Sequence, residues 1–287
     1  MRIDQLITQY REYLRHERGL AEASIRGYTT DLMRLASDTG SIPVQDITLD
    51  VLRAYVRNMS KAGLSPATIR RRIHSLNTFF TWLFIEGHVS EVVSKKLHVP
   101  KKKTKAPEWL NFGDYKLFTE TPARDALTGL AWGLLAYLGL RRGEVLKLQW
   151  SAIKGDVIAI YNSKGTLDRQ LPMPKPLKEL VVKAMNERSN NPLVFPGNDG
   201  LGWRPHAFDR AFKSHLRQAG LDVDKYTPHS LRHTVMTHLA LKGVPLHVIA
   251  RILGHKHLST VQVYVHMSHA NLEDAINQNP VLLGSAS

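Results

Sequence analysis

Apolar residues recur at helical spacing through the first 90 or so positions, in separate blocks divided by glycines and polar turns. "RIDQLITQYREYLRHERG" places Ile3, Leu6, Ile7, Tyr10 and Leu14 on one face and predicts a helix that stops at Gly19. "AEASIRGYTTDLMRLASDTG" repeats the pattern with Ile25, Tyr28, Leu32 and Leu35. "TLDVLRAYVRNMSKAG" opens a third helix on Thr48 as N-cap. "SPATIRRRIHSLNTFFTWLFIEG" opens a fourth on Ser65, with Pro66 at the first helical position, where a missing N–H does no harm. Further on, "ARDALTGLAWGLLAYLGLRRGEVLKLQW" is again helical. The pattern changes at "GDVIAIYNSKGTLDRQLPMP", where β-branched residues flank a turn containing Gly165 and predict a hairpin or small sheet. Helices resume from about Pro176, broken near "PLVFPGNDGLGWRP". The expected class is mainly α with a small β-sheet, with no internal repeat or low-complexity tract.

Between the helical blocks and the mixed region lies "KKLHVPKKKTKAPEW", residues 95 to 109, with two prolines and six lysines. Such a segment resists helix and buries nothing, so it reads as an extended linker. The expected division is a helical domain over 1–94, a basic linker over 95–108 and a second domain over 109–287. Residues 1 to 107 hold 18 Lys or Arg against 10 acids, and residues 108 to 287 hold 21 against 15. A positive charge shared by two domains with a basic strap between them suits a clamp on a duplex. A solubilising linker is the plainer alternative.

The whole chain of 287 residues carries a formal charge of +14 and a pI near 10.0, which points to a polyanionic partner. Nucleic acid leads, and an acidic membrane surface comes second. The first residues carry charges every few positions without an apolar centre, unlike a signal peptide. No uninterrupted apolar window is long enough to span a bilayer. With no cysteine, disulfides, cysteine nucleophiles and thiolate zinc sites are excluded. The expectation is a cytoplasmic, nucleoid-associated protein that acts on nucleic acid.

Residues 227 to 255, "TPHSLRHTVMTHLALKGVPLHVIARILGH", concentrate five histidines and two arginines in a helical pattern whose apolar positions include Leu231, Val235, Leu239, Ile249, Ile252 and Leu253. Cations and imidazoles beside a buried face can bind a metal, bind nucleic acid or surround a reacting phosphate. Other chemistry-bearing residues stand elsewhere. Arg141 follows a Gly-Leu pair between two helices, and Lys164 sits beside Gly165 in the hairpin turn. His229 and Arg232 share a helix face, His255 ends "ARILGH", and Tyr264 follows nine residues later. Each alone is most simply a surface or structural residue. Together they supply what a metal-free phosphodiester cleavage needs. Guanidiniums neutralise transition-state charge, an imidazole or lysine moves a proton to the 5′ oxygen, and a phenol attacks.

In "GLRRGEVLKLQW", "SKGTLDRQLPMP", "TPHSLRHTVMTHLA", "ILGHKHLSTVQVYVH" and "GLSPATIRRRIHSLNTFFTWL" the chain resembles the tyrosine recombinases of the phage integrase family, and among them the bacterial Xer recombinases. The resemblance runs nearly end to end and implies a SAM-like core-binding domain followed by an α+β catalytic domain. It also implies that Arg141 and Arg232 clamp the scissile phosphate, that Lys164 is the general acid and that His229 assists proton transfer. His255 would bond a phosphate oxygen, Tyr264 would form a 3′-phosphotyrosine, and Glu144 would orient the site. Ser163 stands where a glycine is common, and the linker lacks the family's usual Asn-Pro start. DNA contacts are expected from Arg70, Arg71 and Arg72, of which at most two can face one surface, and from Lys101, Lys102 and Lys103.

The implied partner is double-stranded DNA with a short inverted-repeat core site, bound by a homo- or hetero-tetramer on two sites, with a regulatory translocase as a further candidate. No metal or cofactor is implied, since the phosphotyrosine conserves the bond energy. Because the chain begins at the first core-binding helix, no arm-binding domain is expected. The tail after Tyr264 would dock on a neighbouring subunit. Chromosome or plasmid dimer resolution is the leading role; an integrase or transposase of a mobile element shares the chemistry. Rival readings are a type IB topoisomerase and a non-catalytic DNA-binding regulator. The third is a zinc hydrolase using His229 and His233, which has no glutamate between the histidines and no third ligand. With phosphates as the main contacts, affinity for duplex DNA should fall steeply as salt rises in a gel-shift titration; a flat salt response would remove the electrostatic reading.

Overall fold

Thr48 and Ser65 begin helices as their side chains require. Each accepts a hydrogen bond from the backbone N–H three residues on, Val51 and Thr68 respectively. With these two helices, α3 (Leu49–Lys61) and α4 (Pro66–Ile85), come α1 (Ile3–His16) and α2 (Glu22–Thr39). The computed structural model describes residues 1–101, 108–162, 165–197 and 199–254. The chain divides into two units, Met1–Lys105 and Ala106–Ser287.

In the first unit α1 buries Ile3, Leu6, Ile7, Tyr10 and Leu14, the face the periodicity predicts. They meet Ile25, Leu32 and Leu35 of α2 and the inner side of α4, where Phe79 stands edge-on to Tyr10 with ring centroids 5.1 Å apart. One carboxylate lies inside this core. Asp31 on α2 is only 2% exposed, and its Oδ2 accepts hydrogen bonds from Arg71 and from Ser75 (3.0 Å), both on α4.

The second unit opens with α5 (Phe112–Glu120), α6 (Ala126–Leu138) and α7 (Arg142–Leu146). Next comes a three-stranded antiparallel sheet of β1 (Ile153–Lys154), β2 (Val157–Tyr161) and β3 (Leu167–Pro172), in the order β1-β2-β3. Four helices follow among the described residues: α8 (Lys175–Asn186), α9 (Pro205–Gln218), α10 (Pro228–Leu241) and α11 (Leu246–Leu253). The hairpin is where the sequence places it, and β1 is an addition too short to leave a periodicity. Helix α6 is apolar nearly all round and buried nearly all round, which makes it the central helix, packed against α8 and α10. Two side chains of α10 fix the backbone of Leu110: Thr234 Oγ1 accepts its N–H at 2.8 Å, and His238 Nε2 lies 3.1 Å from its carbonyl oxygen. None of the helices among the described residues is long and apolar enough to cross a membrane.

Gly139 ends α6 with φ of +60°, and α10 and α11 close on it. A Cβ there would stand 2.7 Å from Leu253 Cδ2 and 3.3 Å from Val235 Cβ. Both the backbone angle and the space demand glycine. Gly139→Ala should therefore lower stability by about 1–3 kcal/mol in urea unfolding, combining left-handed strain with overpacking; an unchanged midpoint would show that the three helices yield freely.

Candidate functional site

Three turns of chain converge at the end of α11. Arg141 follows the Gly139 stop of α6 and serves as the N-cap residue of α7, so its side chain leaves a backbone pinned at a helix junction. Glu144, three residues on, reaches back to that junction. Its Oε2 accepts the Arg141 N–H at 2.9 Å, and its Oε1 accepts Arg141 Nη1 at 2.7 Å. Arg141 Nη2 donates to the carbonyl of Gly254 at 3.1 Å. Arg232 rises from α10 and is only 3% exposed. Its Nη1 donates to Gly139 O at 2.8 Å and its Nη2 to Leu253 O.

A third arginine, Arg169 on β3, completes the cluster. Its Nε donates to Ile252 O at 2.7 Å. Its Nη2 donates to Glu144 Oε2 at 3.0 Å, and its Nη1 is shared between Glu144 Oε1 (3.2 Å) and Asp168 Oδ2 (2.8 Å). Three successive carbonyls, Ile252, Leu253 and Gly254, thus each accept from a different guanidinium. They stand at the C-terminus of α11 and its cap, the end of the helix dipole that attracts cations.

Charge in this cluster is unbalanced. Among the described residues, three guanidiniums (Arg141, Arg169, Arg232) face two carboxylates, Glu144 and Asp168. Arg232 has no carboxylate partner among them, and the excess positive charge faces outward through Arg141, which is paired with Glu144 but has a side chain 40% exposed, whereas the Arg169 side chain is 5% exposed. Arg141 opens onto a cavity lined also by Arg142, Tyr226, Thr227 and His229, with Arg142 held in an ion pair by Asp209. A single anion such as a phosphodiester would restore neutrality there.

The titratable groups respond to this field. Burial pulls the Glu144 carboxyl up, but hydrogen bonds from Arg169 and the Arg141 backbone outweigh it and hold the group ionised below the usual carboxylate range. Burial, then the charge of Arg141, pushes the Arg232 guanidinium down to about 9, still cationic at neutral pH. His229, at the start of α10, is lowered by burial and then by Arg232, Arg141 and Arg142. It is therefore a neutral imidazole beside the cavity, able to accept a proton. His233 is pushed to about 4 by burial, by His229 and by Arg232. The rings of His229 and His233 stand edge to face with centroids 5.8 Å apart. Among the described residues no three His, Asp or Glu side chains converge as a metal site.

Of the residues singled out in the sequence, Arg141, Glu144, His229 and Arg232 come together here. Lys164, His255 and Tyr264 lie outside the described residues, as do Lys102 and Lys103. The hairpin beside Lys164 closes from Asn162 N–H to Thr166 O at 2.9 Å, with Gly165 at φ of +78°. In the first unit the three consecutive arginines diverge, as a helix requires. Arg70 is exposed and donates to Pro100 O at 3.0 Å, and Arg71 is exposed and paired with Asp31. Arg72 is turned inward, 8% exposed, with Nε 3.9 Å from Asp31 Oδ1. Lys101 is exposed. Sequence reasoning passed over Arg169. The signal was its place two residues before Leu171 on β3, an inward strand position where a charge needs a partner.

Residues 108–271 match the family described as "Phage integrase family", and residues 7–87 match "Phage integrase, N-terminal SAM-like domain". The chain is 28% identical over 288 residues to a tyrosine recombinase of Thermosipho africanus, covering 96% of this chain and 100% of that protein. It is 29% identical over 280 residues to tyrosine recombinase XerC of Alcanivorax borkumensis, covering 93% and 91%. In fold it is similar to a lambda integrase dimer bound to a core site, with TM-score 0.74, 19% identity and coverage of 92% of this chain and 95% of that one. It is also similar to the XerH recombinase bound to a palindromic substrate, with TM-score 0.73, 20% identity and coverage of 96% and 84%.

The lowered histidines make stability depend on pH. His215, His229, His233 and His238 are all held below the ordinary value of 6.5, chiefly by burial. Below that value the unfolded chain takes up protons that the folded one refuses, so stability should fall as pH drops from about 7.5 to about 5. Urea midpoints at the two pH values should show the loss, and His233→Gln should shrink it; an equal loss in that variant would mean His233 is not desolvated.

Proposed function

The chain belongs to the phage integrase family and is a tyrosine recombinase, and we propose that it exchanges strands at a short inverted-repeat site on double-stranded DNA. The observation that carries this reading is the meeting of a half-exposed Arg141 and a neutral His229 at one cavity, beside a buried Arg232 that no carboxylate among the described residues pairs. A regulator that only bound DNA would have no need to keep a base uncharged among guanidiniums.

In the proposed reaction the phosphodiester enters against Arg141, with Arg232 behind it, and the two cations stabilise the charge that builds on the non-bridging oxygens. The Tyr264 phenol attacks phosphorus while His229 assists removal of its proton. The bond from phosphorus to the 5′ oxygen breaks, Lys164 protonates that oxygen, and His255 bonds a non-bridging oxygen. The products are a 3′-phosphotyrosine and a free 5′-hydroxyl. Attack by the 5′-hydroxyl of another strand reverses the same steps and releases the tyrosine, so neither metal nor ATP is required. Glu144 keeps Arg141 aimed.

A lambda integrase tetramer bound to a Holliday junction shares the fold, with TM-score 0.73. We propose that four copies of this chain, alone or with a paired homologue, act likewise on two sites. Exposed Arg70 and Arg71 and the basic run at Lys101, Lys102 and Lys103 would hold the flanking phosphates. Resolution of chromosome or plasmid dimers is the proposed role, and the Xer names of the relatives support it.

Covalent capture on sheared genomic DNA of the source organism tests the reading, with protein-linked fragments recovered after denaturation and sequenced. Adducts should map to an inverted-repeat locus and vanish in Tyr264→Phe, which should still bind DNA. Adducts scattered without sequence preference would indicate a topoisomerase-like enzyme, and loss of binding along with cleavage would contradict the role of Tyr264. Arg141→Ala and Arg232→Ala should each slow adduct formation about 10²- to 10³-fold with far smaller changes in affinity; matched losses in rate and affinity would reduce them to ordinary phosphate contacts.

A further inference from the structure

We propose that Arg169 is a positioning residue for strand cleavage, setting the aim of the phosphate clamp without touching DNA. The inference rests on the recombinase reading and concerns a residue to which that reading gives no part. All three guanidinium nitrogens of Arg169 are already engaged within the protein, by Ile252 O, Glu144 and Asp168. Its hydrogen bonds join the parts of the clamp. Nη1 and Nη2 hold both oxygens of Glu144, the carboxylate that holds Arg141, and Nε holds Ile252 O at the end of α11. The next two carbonyls, Leu253 and Gly254, are those on which Arg232 and Arg141 rest.

The three guanidiniums thus share one frame, formed by the Glu144 carboxylate and the last carbonyls of α11. Arg169 ties the two halves of that frame to the sheet, where its partner in register is Ile160 on β2. Space confirms how closely the parts fit. A Cβ on Gly254 would stand 2.7 Å from Arg169 Nη1 and 2.8 Å from Asp168 Oδ2, and Gly254 holds φ of +65°. Lysine could supply the charge at position 169, but a single ammonium cannot serve Glu144 and Ile252 O in the directions a planar guanidinium does. If Arg169 is lost, Glu144 can swing on its own rotamers and Arg141 loses its reference. A misplacement of about 1 Å at a reacting centre is enough to cost a hundredfold in rate.

The test compares wild type, Arg169→Lys, Arg169→Met and the double variant Arg169→Met with Glu144→Gln. The double variant leaves no unpaired buried carboxylate and so guards against simple unfolding. Adduct formation is followed at saturating protein on the sheared DNA used for capture, with binding measured separately by gel shift and folding by thermal melting. The expected result is a cleavage rate about 10- to 100-fold lower in both methionine variants, with affinity and the melting temperature of the double variant close to wild type. Arg169→Lys should recover only part of the rate. A full-rate double variant, or full recovery by lysine, would overturn the proposal, whereas a wild type that forms no adduct would overturn the recombinase reading instead. A duplex bearing the recovered site, with sulfur in place of the 5′ bridging oxygen, separates two routes of action. A thiolate leaves without a proton, so it relieves a lost general acid but not a misaimed clamp. Arg169→Met should stay slow on it; rescue by sulfur would mean that Arg169 acts through the Lys164 hairpin, and the proposal would fail.

Discussion

Glu144 holds the site together. Its two oxygens accept from Arg141 and Arg169, and the two arginines reach on to carbonyls at the end of α11, so one carboxylate links the start of α7, the third strand and the last turn of a helix more than 100 residues away in sequence. A mostly buried carboxylate with so many donors is stable as an ion, and losing its buried partner Arg169 would cost up to about 3–5 kcal/mol, the range for a broken buried pair. The arrangement is therefore rigid for a physical reason: none of its members can leave without stranding another.

The same cluster explains the electrostatics. Guanidiniums in excess over carboxylates make the site ready for an anion, and they suppress protonation of the imidazoles nearby. His229 is neutral first because it is buried, and then because the cations that would hold a phosphate also repel a proton. Phosphate binding would lift that repulsion, so the affinity of the imidazole for a proton would rise as the substrate arrives, when a base is wanted. Clamp and base are two consequences of one field.

The first unit uses buried charge differently. Asp31 draws Arg71 and Ser75, with Arg72 turned toward it, and so ties α2 to α4 inside a core that is otherwise aromatic and aliphatic. The result sorts a run of three arginines that the sequence presents as equals. Arg70 and Arg71 remain at the surface, while Arg72 belongs to the interior.

Much of this was legible in the chain alone because local forces decide it. The faces of α1 and α2, the caps at Thr48 and Ser65 and the hairpin around Gly165 follow from side-chain periodicity, hydrogen-bonding side chains and permitted backbone angles, each acting within a few residues. So did the membership of Arg141, Glu144, His229 and Arg232 in one site, because their spacing carries a family resemblance. What only the tertiary structure decided are matters of long-range contact. A two-residue β1 has no periodicity to read. Arg169 looks like any polar strand residue until Glu144 and Ile252 come to face it, and Arg72 looks like its neighbours until Asp31 meets it from another helix. Desolvation and charge pairing depend on what surrounds a side chain, and only the folded chain supplies those surroundings.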